Sequence, residues 1–298
     1  MTTSAADLAA PAAAVPRAGV WRRLCHSAGA MTGLALVVLF VVVALAAPLL
    51  APYSPVASPD LSQIRPDHIP GFSAEHPLGL DQNGRDELSR LIYGARSSLL
   101  IGLVSTLAGA LIGIVLGGLA GAFGGWVDAI VMRVVDIMLA LPGLLFAIGI
   151  AAMLGKTTFS IMIAIAVVTV PAFTRLLRGA MLAERERDYV VAATSLGLRR
   201  SAVTLRHILP NSLSPVLVQA TLTLATAIID AAALAFLGLG GDDPSTPEWG
   251  RMLADAQDTL TVAPRLAFLP CVAIILVALG FTLLGESLRE ALDPKGRR

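Results

Sequence analysis

From Ser97 to Val127 the chain carries no Asp, Glu, Lys or Arg. A run of that length has no polar face to offer water, so it must cross a hydrocarbon layer or lie inside a large core. A bilayer core of about 30 Å is spanned by about 20 helical residues, and five more stretches approach that length with few or no charges. These are Gly33 to Leu50, about Ile130 to Leu154 with Arg133 and Asp136 at one end, Phe159 to Phe173, about Leu213 to Leu237, and Leu266 to Gly285. Charged residues are only 14% of the 298 positions and apolar residues 56%, with a mean hydropathy of +0.77, where soluble domains carry about 25% charge. The sequence predicts an all-α membrane protein with six transmembrane helices.

Several function classes fall away on composition. Lys plus Arg number 22 and Asp plus Glu 21, a net charge of +1, which gives no basic excess for nucleic acid. Cys25 and Cys271 are the only cysteines; two cannot build a disulfide framework, and no Cys or His cluster has zinc-like spacing. No metal or redox cofactor is expected on the chain. Gly149, Gly155, Lys156 and Thr157 resemble a nucleotide loop, but five residues separate the glycines where four are needed, and no strand precedes them. No repeat of 20 to 50 residues is visible, which excludes solenoids.

Cations set the expected sidedness, because Lys and Arg resist translocation. With the N-terminus inside, the cytoplasmic segments hold 15 cations, seven of them between Arg175 and Arg206, and the opposite side holds 7. The expected order is a cytoplasmic segment 1–30, a first transmembrane helix 31–50, and an extracytoplasmic segment 51–96. A core of residues 97–286 follows, with spans near 97–123, 130–154, 159–173, 213–237 and 266–285, and then a cytoplasmic tail 287–298. The rival reading of the first span, a cleaved signal peptide after Arg22 and Arg23, would strand the arginine-rich loop outside.

In the second span Gly109, Gly113, Gly117 and Gly121 recur every four residues, and Gly102 and Ser98 extend the same side. At 3.6 residues per turn they form one face where another helix can approach closely. Asp136 is expected to pair with Arg133 three residues away, and Asp230 to reach the outer interface. His26, His68, His76 and His207 lie outside the spans and are expected to be polar surface residues.

The most informative segment is the loop Arg175 to Asn211. A helix should run to about Leu196 and stop at Gly197, which can adopt the left-handed conformation that ends helices. A second short helix from Arg199 should end before Pro210. Two short helices with small Ala192 and Ala193 make a knob suited to a groove in another protein.

That loop resembles the coupling motif of bacterial ATP-binding-cassette (ABC) importer permeases. Ala192, Ala193, Gly197, Leu209 and Pro210 stand at the matching positions, while Val191 replaces the motif's glutamate and His207 its isoleucine. His76-Pro77-Leu78-Gly79 with Gly84-Arg85-Asp86, Ala235 to Gly240 with Thr246-Pro247-Glu248-Trp249-Gly250, and Gly285 to Pro294 resemble further blocks of peptide-importer permeases, in particular the C-type component of dipeptide and oligopeptide importers. The resemblance implies the type I ABC importer permease fold, with a coupling loop at 175–211 centred on Ala192, Ala193, Gly197, Arg199, Leu209 and Pro210. It also implies a sister permease of B type, cytoplasmic ABC ATPases that carry ATP and magnesium, and an extracytoplasmic peptide-binding protein. The chain itself is then not an enzyme and lies in the cytoplasmic membrane with both termini inside. Within the family the solute could instead be haem, a nickel chelate or glutathione. An ion-coupled secondary transporter would need midplane carboxylates and broken helices in paired halves, and an intramembrane hydrolase would need a base within the spans.

Overall fold

The computed structural model describes residues 24, 27–58, 60–65, 67–241, 243 and 246–292. Among them every extended element is helical. Helix α1, Ala28–Leu45, is capped by Ser27, whose Oγ accepts from the Ala30 N–H at 3.3 Å. After the irregular segment come α2, Glu87–Phe123, then α3, Gly125–Leu139, and α4, Gly143–Leu154. They are followed by α5, Thr158–Arg185, and α6, Asp188–Ser195. Helix α7, Arg200–Val203, runs on through a π turn, Thr204–Ile208, into Leu209–Ser212. Helix α8, Ser214–Leu234, ends in a second π turn, Ala235–Leu239, and is followed by α9, Trp249–Asp255, and α10, Arg265–Leu292. Among the described residues five helices are long and apolar enough to cross a membrane, and α3 with α4 makes a sixth if the pair is counted as one span.

Four expectations about these elements require correction. The stretch from Ile130 to Leu154 is not one helix: α3 and α4 meet at 93°. Pro142 has no N–H and pushes Leu141 out of the helical region, so the ladder stops at Ala140, whose N–H still reaches the Asp136 carbonyl at 3.0 Å. Helix α2 begins at Glu87, ten residues before the uncharged run, because Asp86 caps it by accepting from the Ser89 N–H at 2.8 Å and the Ser89 hydroxyl at 2.7 Å. Helix α5 passes through Pro171 and continues to Arg185. Its arginines marked a boundary only because their partners lie elsewhere in sequence: Arg175 pairs with Asp136 at 2.8 Å, and Arg178 NH2 donates to Asp128 Oδ2 at 2.6 Å. The expected Arg133–Asp136 pair is therefore replaced by a tie between α3 and α5.

Helices α2 and α5 lie side by side along most of their length, and α10 packs against both α1 and α8. At the α1–α10 crossing a Cβ on Gly33 would stand 2.8 Å from the Gly280 carbonyl oxygen, so these two backbones touch. One core joins α1, α2, α8, α9 and α10 around Trp249, Val277 and Phe281; another joins α2, α5 and the α6–α8 region around Phe173, Leu177 and Met181.

Candidate functional site: the α6–α7 knob and the faces that hold it

Helix α6 ends as its sequence dictates. The Gly197 N–H bonds to the Thr194 carbonyl at 3.0 Å and the Leu198 N–H to the Ala193 carbonyl at 3.3 Å, with Gly197 at φ +80°. This pair of bonds is the glycine-dependent helix stop that a side chain other than glycine or asparagine strains. Nothing lies within 4 Å of a Cβ built on Gly197. The turn therefore projects from the surface, with Leu196 84% and Val191 56% exposed and Leu198 exposed beside them. An apolar tip of this kind is costly to leave in water and marks a contact surface.

The base of the knob is fixed. Val190 is buried, and half-buried Ala193 and Leu209 pack on the core of Phe173, Leu177 and Met181. Ala192, Arg199 and Pro210 are exposed. Arg199 stands at the N-terminal cap of α7. The Tyr189 hydroxyl donates to Glu184 Oε1 at 2.6 Å, and Asn211 Nδ2 donates to the Tyr189 hydroxyl at 3.1 Å and to the His207 carbonyl at 2.7 Å. Burial and then the Glu184 contact push the Tyr189 phenol above its ordinary range, so it stays a neutral donor. Arg185 NH2 donates to the Ala122 carbonyl at 2.6 Å, satisfying one of the free carbonyls at the end of α2. The knob is thus held against α2, α5 and α8 by packing and short hydrogen bonds.

The second short helix does not stop before Pro210. The Leu209 N–H reaches back five residues to the Thr204 carbonyl, and Pro210 falls in the first turn of the piece that follows, where a missing N–H costs nothing.

The glycine face of α2 meets two helices. A Cβ on Gly102 would lie 2.6 Å from Ile228 Cγ1 on α8. On α5, Gly109 faces the Ala166 carbonyl oxygen at 2.7 Å, Gly113 the Thr174 nitrogen at 3.1 Å, Gly117 the Thr174 carbonyl oxygen at 2.6 Å and Gly121 the Met181 sulfur at 2.9 Å, each measured from such a Cβ. At Gly109, Gly113 and Gly117 backbone atoms of α5 are among these neighbours, and backbone cannot move aside.

At the opposite end of α2 lies a buried ionic cluster that the sequence reading missed. His76 is buried, against the expectation of a surface residue. Its Nδ1 is 2.9 Å from Asp86 Oδ1 and its Nε2 3.3 Å from Asp60 Oδ2. His207 is half-buried beside Tyr189, His68 is exposed, and His26 lies outside the described residues. Asp81 Oδ2 takes Arg85 Nε at 2.7 Å and Arg90 Nε at 3.3 Å, and Asp255 on α9 approaches both arginines at 3.7 and 3.9 Å. Arg265, at the start of α10, donates to the carbonyls of Pro70, Leu80 and Leu78 at 2.6, 2.9 and 3.3 Å. Together these bonds fasten the segment before α2 to α9 and α10. The spacing of oppositely charged residues in Asp81, Arg85 and Arg90 was the available signal; the partners Asp255 and Arg265 were too distant in sequence to be foreseen.

Thr157, in the loop dismissed for nucleotide, caps α5 by accepting from the Ser160 N–H at 3.0 Å. Asp230 is half-buried on α8, and its side chain has no hydrogen bond or ion pair among the described residues. No group of three or more His, Cys, Asp or Glu able to hold a metal occurs among those residues.

Comparison with known proteins places the chain among transport permeases. The family described as binding-protein-dependent transport system inner membrane component matches residues 113–298, and the N-terminal TM domain of oligopeptide transport permease C matches residues 16–69. The dipeptide transport system permease protein DppC of Alkalihalophilus pseudofirmus is 44% identical over 89% of this chain and 86% of its own length. The di/tripeptide transport system permease protein DppC of Pseudomonas aeruginosa is 47% identical over 92% and 91%. The glutathione transport system permease protein GsiD of Escherichia coli is 42% identical over 92% and 89%. A chain of the inward-facing MetNI methionine ABC transporter superposes with a TM-score of 0.56 at 18% identity, covering 69% of this chain and 98% of that one.

Proposed function

This chain belongs to the family of inner membrane components of binding-protein-dependent transport systems, and from that premise we propose that it forms one half of an ATP-driven pathway importing di- or oligopeptides. Its fold is that of the type I ABC importer permeases. The observation that carries the mechanism is the anchored knob: an apolar tip at Leu196 and Leu198, exposed while its base is buried in the α2–α5–α8 core. In this reading Ala192, Ala193, Gly197, Arg199, Leu209 and Pro210 form the surface that a cytoplasmic ABC ATPase grips. ATP and magnesium are bound and used in that partner. Its closure works on the pathway because the knob's position differs between the two transport states. A sister permease of B type supplies the other half, and an extracytoplasmic binding protein delivers the peptide. Residues 51–96 then face outward and both termini inward.

The relatives named for dipeptides and di/tripeptides support peptide as the solute, and the one named for glutathione supports a second reading, a modified tripeptide. Uptake of a labelled dipeptide by cells whose only peptide importer contains this chain decides between them. Dipeptide uptake that glutathione does not compete supports the first reading; glutathione uptake alone selects the second, and uptake of neither, with a labelled oligopeptide also refused, overturns both. For sidedness, Cys25 and Cys271 are replaced by serine and a cysteine is placed at Ser73 or at Ser201. An impermeant thiol reagent on intact cells should label only the first. Labelling of the second alone inverts the topology and removes the ATPase contact with it.

A further inference from the structure

Beside the knob, between the last turns of α2 and helix α7, lies an apolar groove of about 610 Å³. Ile114, Gly118, Leu119 and Phe123 form one wall and Leu205 and Leu209 the other. Leu119 and Phe123 are exposed, as are Val115 and Leu111 further up the same helix, so the groove opens onto the membrane-crossing surface of α2. Gly118 keeps it deep, since a Cβ there would meet only Leu177 Cδ2, at 4.0 Å.

The polar end is cationic. Arg185 and Arg200 both direct a guanidinium nitrogen at the Ala122 carbonyl, at 2.6 and 3.4 Å, and neither has a carboxylate partner among the described residues. Two guanidiniums around one neutral oxygen repel each other, and the partial negative charge at the end of α2 offsets only part of that repulsion. Ser201 and Thr204 also line the groove.

We propose that this groove binds an anionic phospholipid, with one acyl chain along Ile114, Gly118 and Leu119 and the phosphate between Arg185 and Arg200. The charge pattern selects this occupant. An amphiphile with an anionic head matches both the apolar length and the cationic end, as basic pockets at the ends of transmembrane helices do. The inference goes beyond peptide import and needs only that α2 crosses the membrane, so it survives whichever solute is carried. A lipid seated here touches α2, Met181 of α5 and α7 together. It therefore ties the knob to the helices it drives.

The test uses the assembled importer in nanodiscs of phosphatidylcholine containing a minor share of phosphatidylglycerol. Lipid retained after extraction into detergent is counted by native mass spectrometry. The intact complex should keep phosphatidylglycerol, whereas Gly118→Phe, which fills the groove, and Arg200→Gln should each lose it several-fold; Arg200→Lys should restore part of it. Co-purification of the ATPase identifies any variant that fails to assemble, and Arg200→Gln then decides the matter alone. Excess inorganic phosphate should not displace the lipid. Equal retention in wild type and Arg200→Gln overturns the proposal. So does displacement by inorganic phosphate, which would mean a bare anion site, or cross-linking of a photoreactive residue at Leu119 to another subunit instead of to lipid.

Discussion

Gly94 and Trp249 lie so close that a Cβ on the glycine would stand 2.7 Å from the indole Cδ1. The contact fixes α9 on α2. Trp249 is fully buried, its indole N–H donates to the Leu91 carbonyl at 3.0 Å, its backbone N–H bonds to Ser98 Oγ at 3.2 Å, and Phe40 of α1 meets its ring edge-on at 5.7 Å. Trp249→Ala should cost roughly 3–5 kcal/mol, the range for emptying a large aromatic site. Gly94→Val should also destabilise, while Gly71→Val, with open space around it, should not. Thermal unfolding of the purified complex measures all three; a Trp249→Ala midpoint equal to wild type would remove the anchoring role.

Gly113 and Gly117 face backbone atoms of α5, and a leucine at either has no rotamer that avoids them. Both Gly113→Leu and Gly117→Leu should abolish assembly with the sister permease or leave the chain to proteolysis. Gly149→Leu, on the open side of α4, serves as the control. Normal complex yield and peptide uptake in both variants would mean the two helices are not in backbone contact in the membrane.

At the knob, two kinds of failure are separable. Ala193→Glu puts a charge against the core of Leu177 and Met181 and should weaken ATPase association. Gly197→Val meets no neighbour, so its cost is the left-handed backbone alone, about 1 kcal/mol or more. Gly197→Asn should recover most of what valine loses. Stimulation of ATP hydrolysis by loaded binding protein, measured in proteoliposomes, reports each; unchanged stimulation in both Ala193→Glu and Gly197→Val places the coupling contact elsewhere.

Glu248, before α9, is buried, and burial raises its carboxyl from 4.5 to about 7, although the Gly250 N–H and Arg251 oppose the shift. A carboxyl raised on folding binds more protons in the native state, so its contribution is fully present below pH 4.5 and is lost as pH rises through about 7. The loss is roughly 3 kcal/mol, at 1.36 kcal/mol per unit. Melting midpoints of wild type should fall between pH 5 and pH 8, and Glu248→Gln should flatten that part of the profile. Parallel profiles for the two proteins would refute the assignment.

Spans α1, α8 and α10 were legible because the absence of charge over a membrane thickness leaves a helix little alternative. The same criterion failed wherever a charge was satisfied at a distance. Arg90 and Glu87 looked like loop residues yet sit buried in α2, and Arg175 looked like a helix end because Asp136 lies thirty-nine positions away. Pro171 and Pro142 show the limit of a local rule: both lack the N–H, but α5 continues through the first while the chain turns by 93° at the second. The Gly197 stop was readable because its cause is local. The groove at Gly118 was not, since its walls come from α2 and α7 and only tertiary structure brings them together.

The three carbonyls held by Arg265 belong to residues that precede it by 195, 187 and 185 positions. At about 5–20 residues per second of synthesis, the segment around Pro70 and Leu80 waits roughly ten to forty seconds on the ribosome before its anchor is made. During that interval the segment lacks the bonds that later fix it. Helix α10 therefore finishes a segment made long before it, and a chain truncated before residue 265 would be released with that segment unfastened.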